Sequence, residues 1–438
     1  MTSPFPLPSG RFGGLLRVPG SKSVTNRALL AAACADGEST IMNPLDSSDT
    51  RALASALRHL GAEILFEGAS WRVRGPLRPR GDAREVLTID VEDAGTPARF
   101  LAALLAAIPG KYILDGSGRM RDRPMAPLFG AIRDLSGEVR CLAEEGFLPA
   151  AIRGGTLRGG RVRIRGDVSS QFLSALMLAS PLVPRGIELE VEGPVSSAPY
   201  LGLTRRVLES FGGRPGTGYR PAQFTVPGDD SAACFPIAGA LVSAGTVTLL
   251  GLSRVPEQPD AVFRSWAEEA GGRLSWSGKG DDAALSVDGR HLSGARALRP
   301  LTVNVDSAPD AALPLVSLLA FAEGTSVLSG ARRLRDKESD RLSAALDLLE
   351  RAGSAAREDA SDAGPRLVID GATGAPRRAD FAAHGDHRVA MAAAVLALGL
   401  PRGSTLDEPG VVRKSFPGFF AEWARLAGEA VPASGGPG

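Results

Sequence analysis

Six times along this chain a small polar cluster opens a stretch of Ala and Leu that is apolar on every side. A glycine follows, and then a short run rich in Thr, Val and Ile. The copies are "PGSKSVTNRALLAAACADGESTIM", "DAGTPARFLAALLAAIPGKYIL", "GDVSSQFLSALMLASPLVPRGIELEV", "GDDSAACFPIAGALVSAGTVTLL", "DSAPDAALPLVSLLAFAEGTSVL" and "GDHRVAMAAAVLALGLPRGSTL". A stretch apolar all round predicts a fully buried helix, and the β-branched run after it a strand. A second, more charged and half-solvated helix follows each of the first five strands. It tends to end in Gly before another strand, as in "ALRHLGAEILF", "IRDLSGEVRCL", "LESFGGRP" and "AEEAGGRLSW". After the sixth strand, "FPGFFAEWARLAG" supplies the matching helix. Each copy reads strand–helix–strand–helix–strand, an α/β pattern whose period is too long for a solenoid.

The heads of the buried helices carry Ser, Asp, Gly, Lys or Arg. A helix N-terminus has unpaired N–H groups and a partial positive charge, so it attracts anions. Ser and Asp are good N-caps and need no ligand. Cations are different, because they oppose the dipole there. Lys22, Arg27, Arg99, Lys337, Arg341 and Arg388 all fall in or near expected first turns. A bound anion relieves that conflict, and six such helices converging on one cleft would form a strong anion site.

Composition sharpens this picture. The chain has 438 residues, 44% hydrophobic and 23% charged, with a net charge of +1. It is long enough for two or three domains, and it has no general basic field for nucleic acid or an anionic membrane. Any anion is therefore met by a local cluster. Only five of the 50 basic residues are lysines, Lys22, Lys111, Lys279, Lys337 and Lys414, so each is a choice of a compact, tunable charge against a strong Arg bias. No apolar run has the length of a membrane span, and the start lacks a signal-peptide pattern. Cys34, Cys141 and Cys234 give neither a disulfide framework nor a zinc knuckle, which fits a reducing cytoplasm.

Four stretches carry candidate chemistry. "PGSKSVTNR", residues 19–27, lacks the adjacent Gly-Lys and the earlier Gly of a nucleotide P-loop. "RMRDRP" puts three Arg ahead of a helix expected to start at Pro124. In "LRDKESDRL", a helical reading places Lys337 and Arg341 four apart on one face with Glu338 adjoining; alone, such a run is equally a solvated face. "APD" sets Asp310 at the head of an apolar helix, as a simple N-cap or as a partly buried general base or acid. His384 and His387 lack a third ligand at metal spacing, so no metal is expected.

Taken in order, "PGSKSVTNRALL", "AGTPARF", "RDRP", "GDVSSQF", "SSAPY", "PD", "LRDKESDR", "DHRVAM" and "KSFPGFF" resemble the enolpyruvyl transferase family along nearly the whole chain. The resemblance implies two domains of three βαβαββ units each, closing around substrate. One spans 21–227; the other is discontinuous, 1–20 and 228–438, and the chain crosses near Gly20 and Gly228. The tail from about 431 has no core-forming content and is expected to be disordered. Within the family, the motifs resemble the branch that transfers the enolpyruvyl group of phosphoenolpyruvate to the 5-hydroxyl of shikimate 3-phosphate. By that resemblance Ser23, Arg27, Ser169, Ser170, Gln171, Ser197 and Tyr200 hold shikimate 3-phosphate, and Lys22 touches both substrates. Gly95, Arg123, Gln171, Arg341, Arg388 and Lys414 hold phosphoenolpyruvate. Asp310 and Lys337 meet the shikimate hydroxyl region, with Asp310 as base, Glu338 or Lys337 as acid and Lys22 as a second proton carrier. No metal or organic cofactor is implied, nor a nucleic-acid or membrane partner, and the chain is expected to act as a monomer.

Three positions depart from the family pattern: Pro97, Arg333 where Asn is common, and Asp230 at the crossing. The sister branch acting on UDP-N-acetylglucosamine has Lys-Asn in its first motif and usually Cys ahead of the Arg-Pro pair. Here Ser23 follows Lys22, and "GSGRMRDRP" has no Cys. A paralogue with another acceptor and a non-catalytic anion-binding scaffold are the remaining alternatives.

Overall fold

The structure is a computed structural model that describes residues 4–78, 85–166, 169–193, 199–255, 257–280, 283–292, 297–361, 364–371 and 376–429. The chain divides into two compact units, Met1–Pro19 with Gly228–Gly438, and Gly20–Pro227. Each has its own hydrophobic core.

In the Gly20–Pro227 unit the buried helices are Lys22–Cys34, Gly95–Ala107 and Ser170–Ala179. In the other they are Asp230–Val242, Ala312–Leu319 and His387–Leu398. Within each unit the three pack against one another. Their Ala-rich surfaces let the helices approach closely, and burial of every face follows: all residues of Asp230–Val242 and His387–Leu398 are buried. Among the described residues no helix is long and apolar enough to cross a membrane.

Among the described residues each unit carries three sheets. In four of the six, a parallel strand pair is extended by two antiparallel strands. One of these runs Val86–Asp90, Gly110–Asp115, Ala150–Gly154, Glu138–Cys141, and another Thr302–Asn304, Gly324–Ser329, Arg366–Gly371, Ala355–Asp359. The other two correct the expectation of six equal βαβαββ copies. Among the described residues the third copy is a parallel pair, Gly160–Arg165 with Ile187–Glu192. After its second helix, Pro199–Ser210, the chain instead returns to the first sheet, where Gln223–Thr225 pairs with Glu38–Met42. The sixth sheet joins Asp380–Phe381 to Thr405–Leu406 and takes its last strand, Phe5–Pro6, from the start of the chain.

The crossings explain two separations in sequence. Strand Gly13–Arg17 pairs in parallel with Thr246–Leu250 of its own unit, while the helix after it in sequence belongs to the other. Gly20 marks this point because a Cβ there would lie 2.1 Å from the Asn43 carbonyl oxygen. No side chain fits so close an approach.

Candidate active site

In the Gly20–Pro227 unit, polar side chains gather at the heads of the buried helices. Lys22 opens its helix, and its Nζ donates to Asp49 Oδ2 at 3.0 Å. Asp49 is buried in the first turn of the Ser48–His59 helix, which Ser47 and Thr50 cap reciprocally. One turn on from Ser23, Arg27 is almost wholly buried. Its Nη1 donates to the Ser23 carbonyl at 2.8 Å, its Nε to Thr204 Oγ1 at 2.8 Å and its Nη2 to Ser174 Oγ at 3.1 Å. The Phe100 and Tyr200 rings lie 5.1 and 5.8 Å from the guanidinium carbon. Burial lowers the Arg27 pKa to about 10.

Gly95 is the first residue of its helix, and a Cβ there would fall 2.2 Å from Arg123 Nη1. The missing side chain thus lets a guanidinium lie against a helix N-terminus, where it opposes the dipole unless an anion joins it. Pro97 is buried in the first turn, where its missing N–H leaves no bond unmade. Gln171 Nε2 donates to Thr96 Oγ1 at 3.2 Å, tying two helix heads together. Ser169 caps the Ser170–Ala179 helix by accepting from the Gln171 N–H, and Ser170 is buried. Ser197 lies outside the described residues. The helix expected at Pro124 begins at Ala126, because a separate short helix, Gly118–Arg121, capped by Ser117, comes first.

The second cluster, in the discontinuous unit, centres on Arg341, whose side chain has no exposure. Its Nε contacts Asp386 Oδ2 at 2.7 Å, its Nη1 Asp310 Oδ1 at 2.8 Å and its Nη2 Glu338 Oε2 at 2.7 Å. Asp310, in turn, meets Arg388 Nη2 at 3.1 Å and Lys337 Nζ at 3.4 Å. Burial pushes the Asp310 carboxyl up, but Arg388, Lys337 and Arg341 prevail and hold it well below the usual carboxylate range. Burial pulls the Lys337 ammonium down. It also opposes the charge on Arg341, which Asp386, Glu338 and Asp310 nevertheless keep firmly protonated.

The helical reading of the Lys337 segment is corrected. Residues 335–340 are irregular, and the helix runs Arg341–Ala352 because Asp340 caps it, accepting from the Leu342 and Ser343 N–H groups at 3.1 Å. Lys337 and Arg341 still meet, through Asp310 rather than along a helix face. Lys414 ends the turn Pro409–Lys414, half-buried, and that turn packs on the His387–Leu398 helix. Arg333 Nη1 lies 3.9 Å from Asp306 Oδ1.

Sequence reasoning missed Asp49, Ser174, Thr204, Asp260, Arg264 and Asp386. Only Asp386 had a local signal, as the N-cap position of "GDHR", where it accepts from the Arg388 N–H at 2.8 Å. Asp260 accepts from Ser231, and Asp230 pairs with Arg264. Burial raises Asp230 to about 7 and Asp260 to about 6, the latter with help from the nearby Asp310 charge. Among the described residues no group of three or more His, Cys, Asp or Glu is arranged to hold a metal ion.

Cations at helix heads and in the loop before Arg341, three of them around the Asp310 carboxylate, belong in this α/β fold to a transferase with anionic substrates. The family described as EPSP synthase (3-phosphoshikimate 1-carboxyvinyltransferase) matches residues 7–423, and the chain belongs to it. A 3-phosphoshikimate 1-carboxyvinyltransferase of Cronobacter sakazakii is 33% identical over 96% of this chain and 97% of its own length. One from Shewanella denitrificans is 34% identical over 95% and 97%. The solved EPSP synthase of Acinetobacter baumannii superposes with a TM-score of 0.77 at 25% identity, covering 97% of each chain.

Proposed function

We propose that the chain transfers the enolpyruvyl group of phosphoenolpyruvate to the 5-hydroxyl of shikimate 3-phosphate and releases phosphate, a step of aromatic amino acid biosynthesis. Family membership supports the reaction. The observation that carries the mechanism is Asp310, a carboxylate gripped by Lys337, Arg341 and Arg388. Shikimate 3-phosphate draws on Lys22, Ser23, Arg27, Ser169, Ser170, Gln171, Ser197 and Tyr200. Phosphoenolpyruvate draws on Lys22, Gly95, Arg123, Gln171, Arg341, Arg388 and Lys414.

In the addition step the acceptor oxygen bonds to C2 of phosphoenolpyruvate. Asp310 takes the hydroxyl proton, and Lys337 or Glu338 gives a proton to the methylene carbon. Loss of phosphate and of a methyl proton then restores the double bond. Asp310 is a weak base while three cations surround it. Anionic substrate engages Arg341 and Arg388, relieves their hold and makes Asp310 more basic when the hydroxyl arrives. Burial makes Lys337 readier to release its proton. The chain acts as a cytoplasmic monomer and needs no cofactor.

Mass spectrometry of the product tests this reading. Incubation with both substrates is expected to yield a compound one enolpyruvyl unit heavier than shikimate 3-phosphate. Transfer to UDP-N-acetylglucosamine instead would assign the chain to the sister reaction.

A further inference from the structure

Arg27 and Arg341 are both buried cations, but their surroundings are opposite. Three carboxylates surround Arg341. Arg27 bonds only to neutral oxygens, and among the described residues no carboxylate pairs with it. A buried charge without a counter-ion is costly, so the fold sustains Arg27 by other means or the site receives an anion. Its three bonds occupy three of the five guanidinium N–H groups and leave one on each terminal nitrogen.

The two hydroxyls on Arg27 come from different elements. Ser174 lies on the buried Ser170–Ala179 helix, and Thr204 on Pro199–Ser210, the helix that carries Tyr200. They are 2.9 Å apart, and Thr204 Oγ1 is also 2.9 Å from the Tyr200 carbonyl. Thr204 Oγ1 directs its one proton toward Ser174 Oγ and the Tyr200 carbonyl, and it accepts from Arg27 Nε. These three contacts engage its hydroxyl within the protein, and both hydroxyls are fully buried.

We infer that Thr204 and Ser174 are positioning residues, a hydroxyl pair that fixes the roll of the Arg27 guanidinium so that its remaining N–H groups meet the anionic acceptor substrate. The planar fork gives bidentate recognition only when its orientation is set, and flexible rotation about the last torsion would scatter it. The Phe100 and Tyr200 rings lie against the group at 5.1 and 5.8 Å, and the hydroxyl pair holds its Nε and Nη2 edge. The inference rests on the proposal that Arg27 binds shikimate 3-phosphate.

Titration of full-length protein with shikimate 3-phosphate tests it, alongside steady-state kinetics. Thr204→Val keeps the shape of the side chain and removes the hydroxyl. It is expected to weaken shikimate 3-phosphate about tenfold, the loss typical of one hydrogen bond to a charged group. The KM for phosphoenolpyruvate and the kcat at saturation should stay within about twofold, since neither reports this contact. Thr204→Ser should restore binding. Ser174→Ala, read in the same way if Thr204→Val does not fold, is expected to cost about threefold. Binding within twofold of the parent in Thr204→Val, or in Ser174→Ala where that variant is the one read, would overturn the positioning role. So would a parallel rise in both KM values. Failure of the unmodified chain to bind shikimate 3-phosphate would instead overturn the functional reading on which the inference rests.

Discussion

At the scale of single residues, charge placement decides what each group can do. Asp310 accepts from three cations, so it is ionised yet weakly basic before substrate arrives. Asp310→Asn keeps the shape and removes the proposed base. Turnover is expected to fall by about two to four orders of magnitude, the range for loss of a general base, with little weakening of phosphoenolpyruvate. Steady-state kinetics on the variant reads both, and near-normal kcat would contradict the assignment. Gly95→Ala places a methyl on Arg123, so the KM for phosphoenolpyruvate should rise while that for shikimate 3-phosphate changes little.

Asp260 makes a pH prediction. Its folded pKa, about 6, lies above the unfolded value near 4. The folded state therefore holds the extra proton between these values, and the parent loses stability as pH rises through that window. Asp260→Asn does not titrate there. Its stability relative to the parent should climb from about pH 4 to about pH 6, by up to roughly 3 kcal/mol, and stay level above. Denaturant unfolding at a series of pH values measures this, and a difference independent of pH would refute it. The charged residues that cluster around Asp310 and at the head of the Lys22 helix stood out in the sequence. Their partners Asp49, Thr204 and Asp260 did not, because each gains its role from a contact across many residues rather than from a local pattern.

At the scale of elements, the buried helices were the most legible feature, since apolar residues on every side leave no alternative to full burial. The strands after them followed from β-branched runs. The boundaries were less readable where a cap competed with a continuous pattern. "LRDKESDRL" has good helix formers before Arg341, yet the Asp340 side chain satisfies two N–H groups and starts the helix after itself. Asp340→Ala removes that cap and also one carboxylate from Arg335, which keeps Glu358. It should cost about 1 kcal/mol of stability, measured by denaturant unfolding, and raise the KM for phosphoenolpyruvate as Arg341 loses its fixed position.

For the whole molecule, six copies of one motif were visible, but not which strands each copy keeps. The third copy gives its last segment to the first sheet, and the sixth takes a strand from the chain's start. Such exchanges depend on pairing at long sequence separation, which periodicity does not encode. They have a consequence for folding. The Gly20–Pro227 unit is contiguous, whereas the other needs Phe5–Pro6, Gly13–Arg17 and the buried Phe12, whose ring centroid lies 4.4 Å from that of Trp423. Residues 20–227 alone should unfold cooperatively, and 228–438 should do so only when residues 1–19 are supplied; circular dichroism against denaturant reads both.

The most direct test of the account is phosphate release from phosphoenolpyruvate by chelator-treated protein, with and without shikimate 3-phosphate. The account predicts release only when shikimate 3-phosphate is present, undiminished by the chelator. No release with both substrates, from folded protein that binds shikimate 3-phosphate, would contradict it.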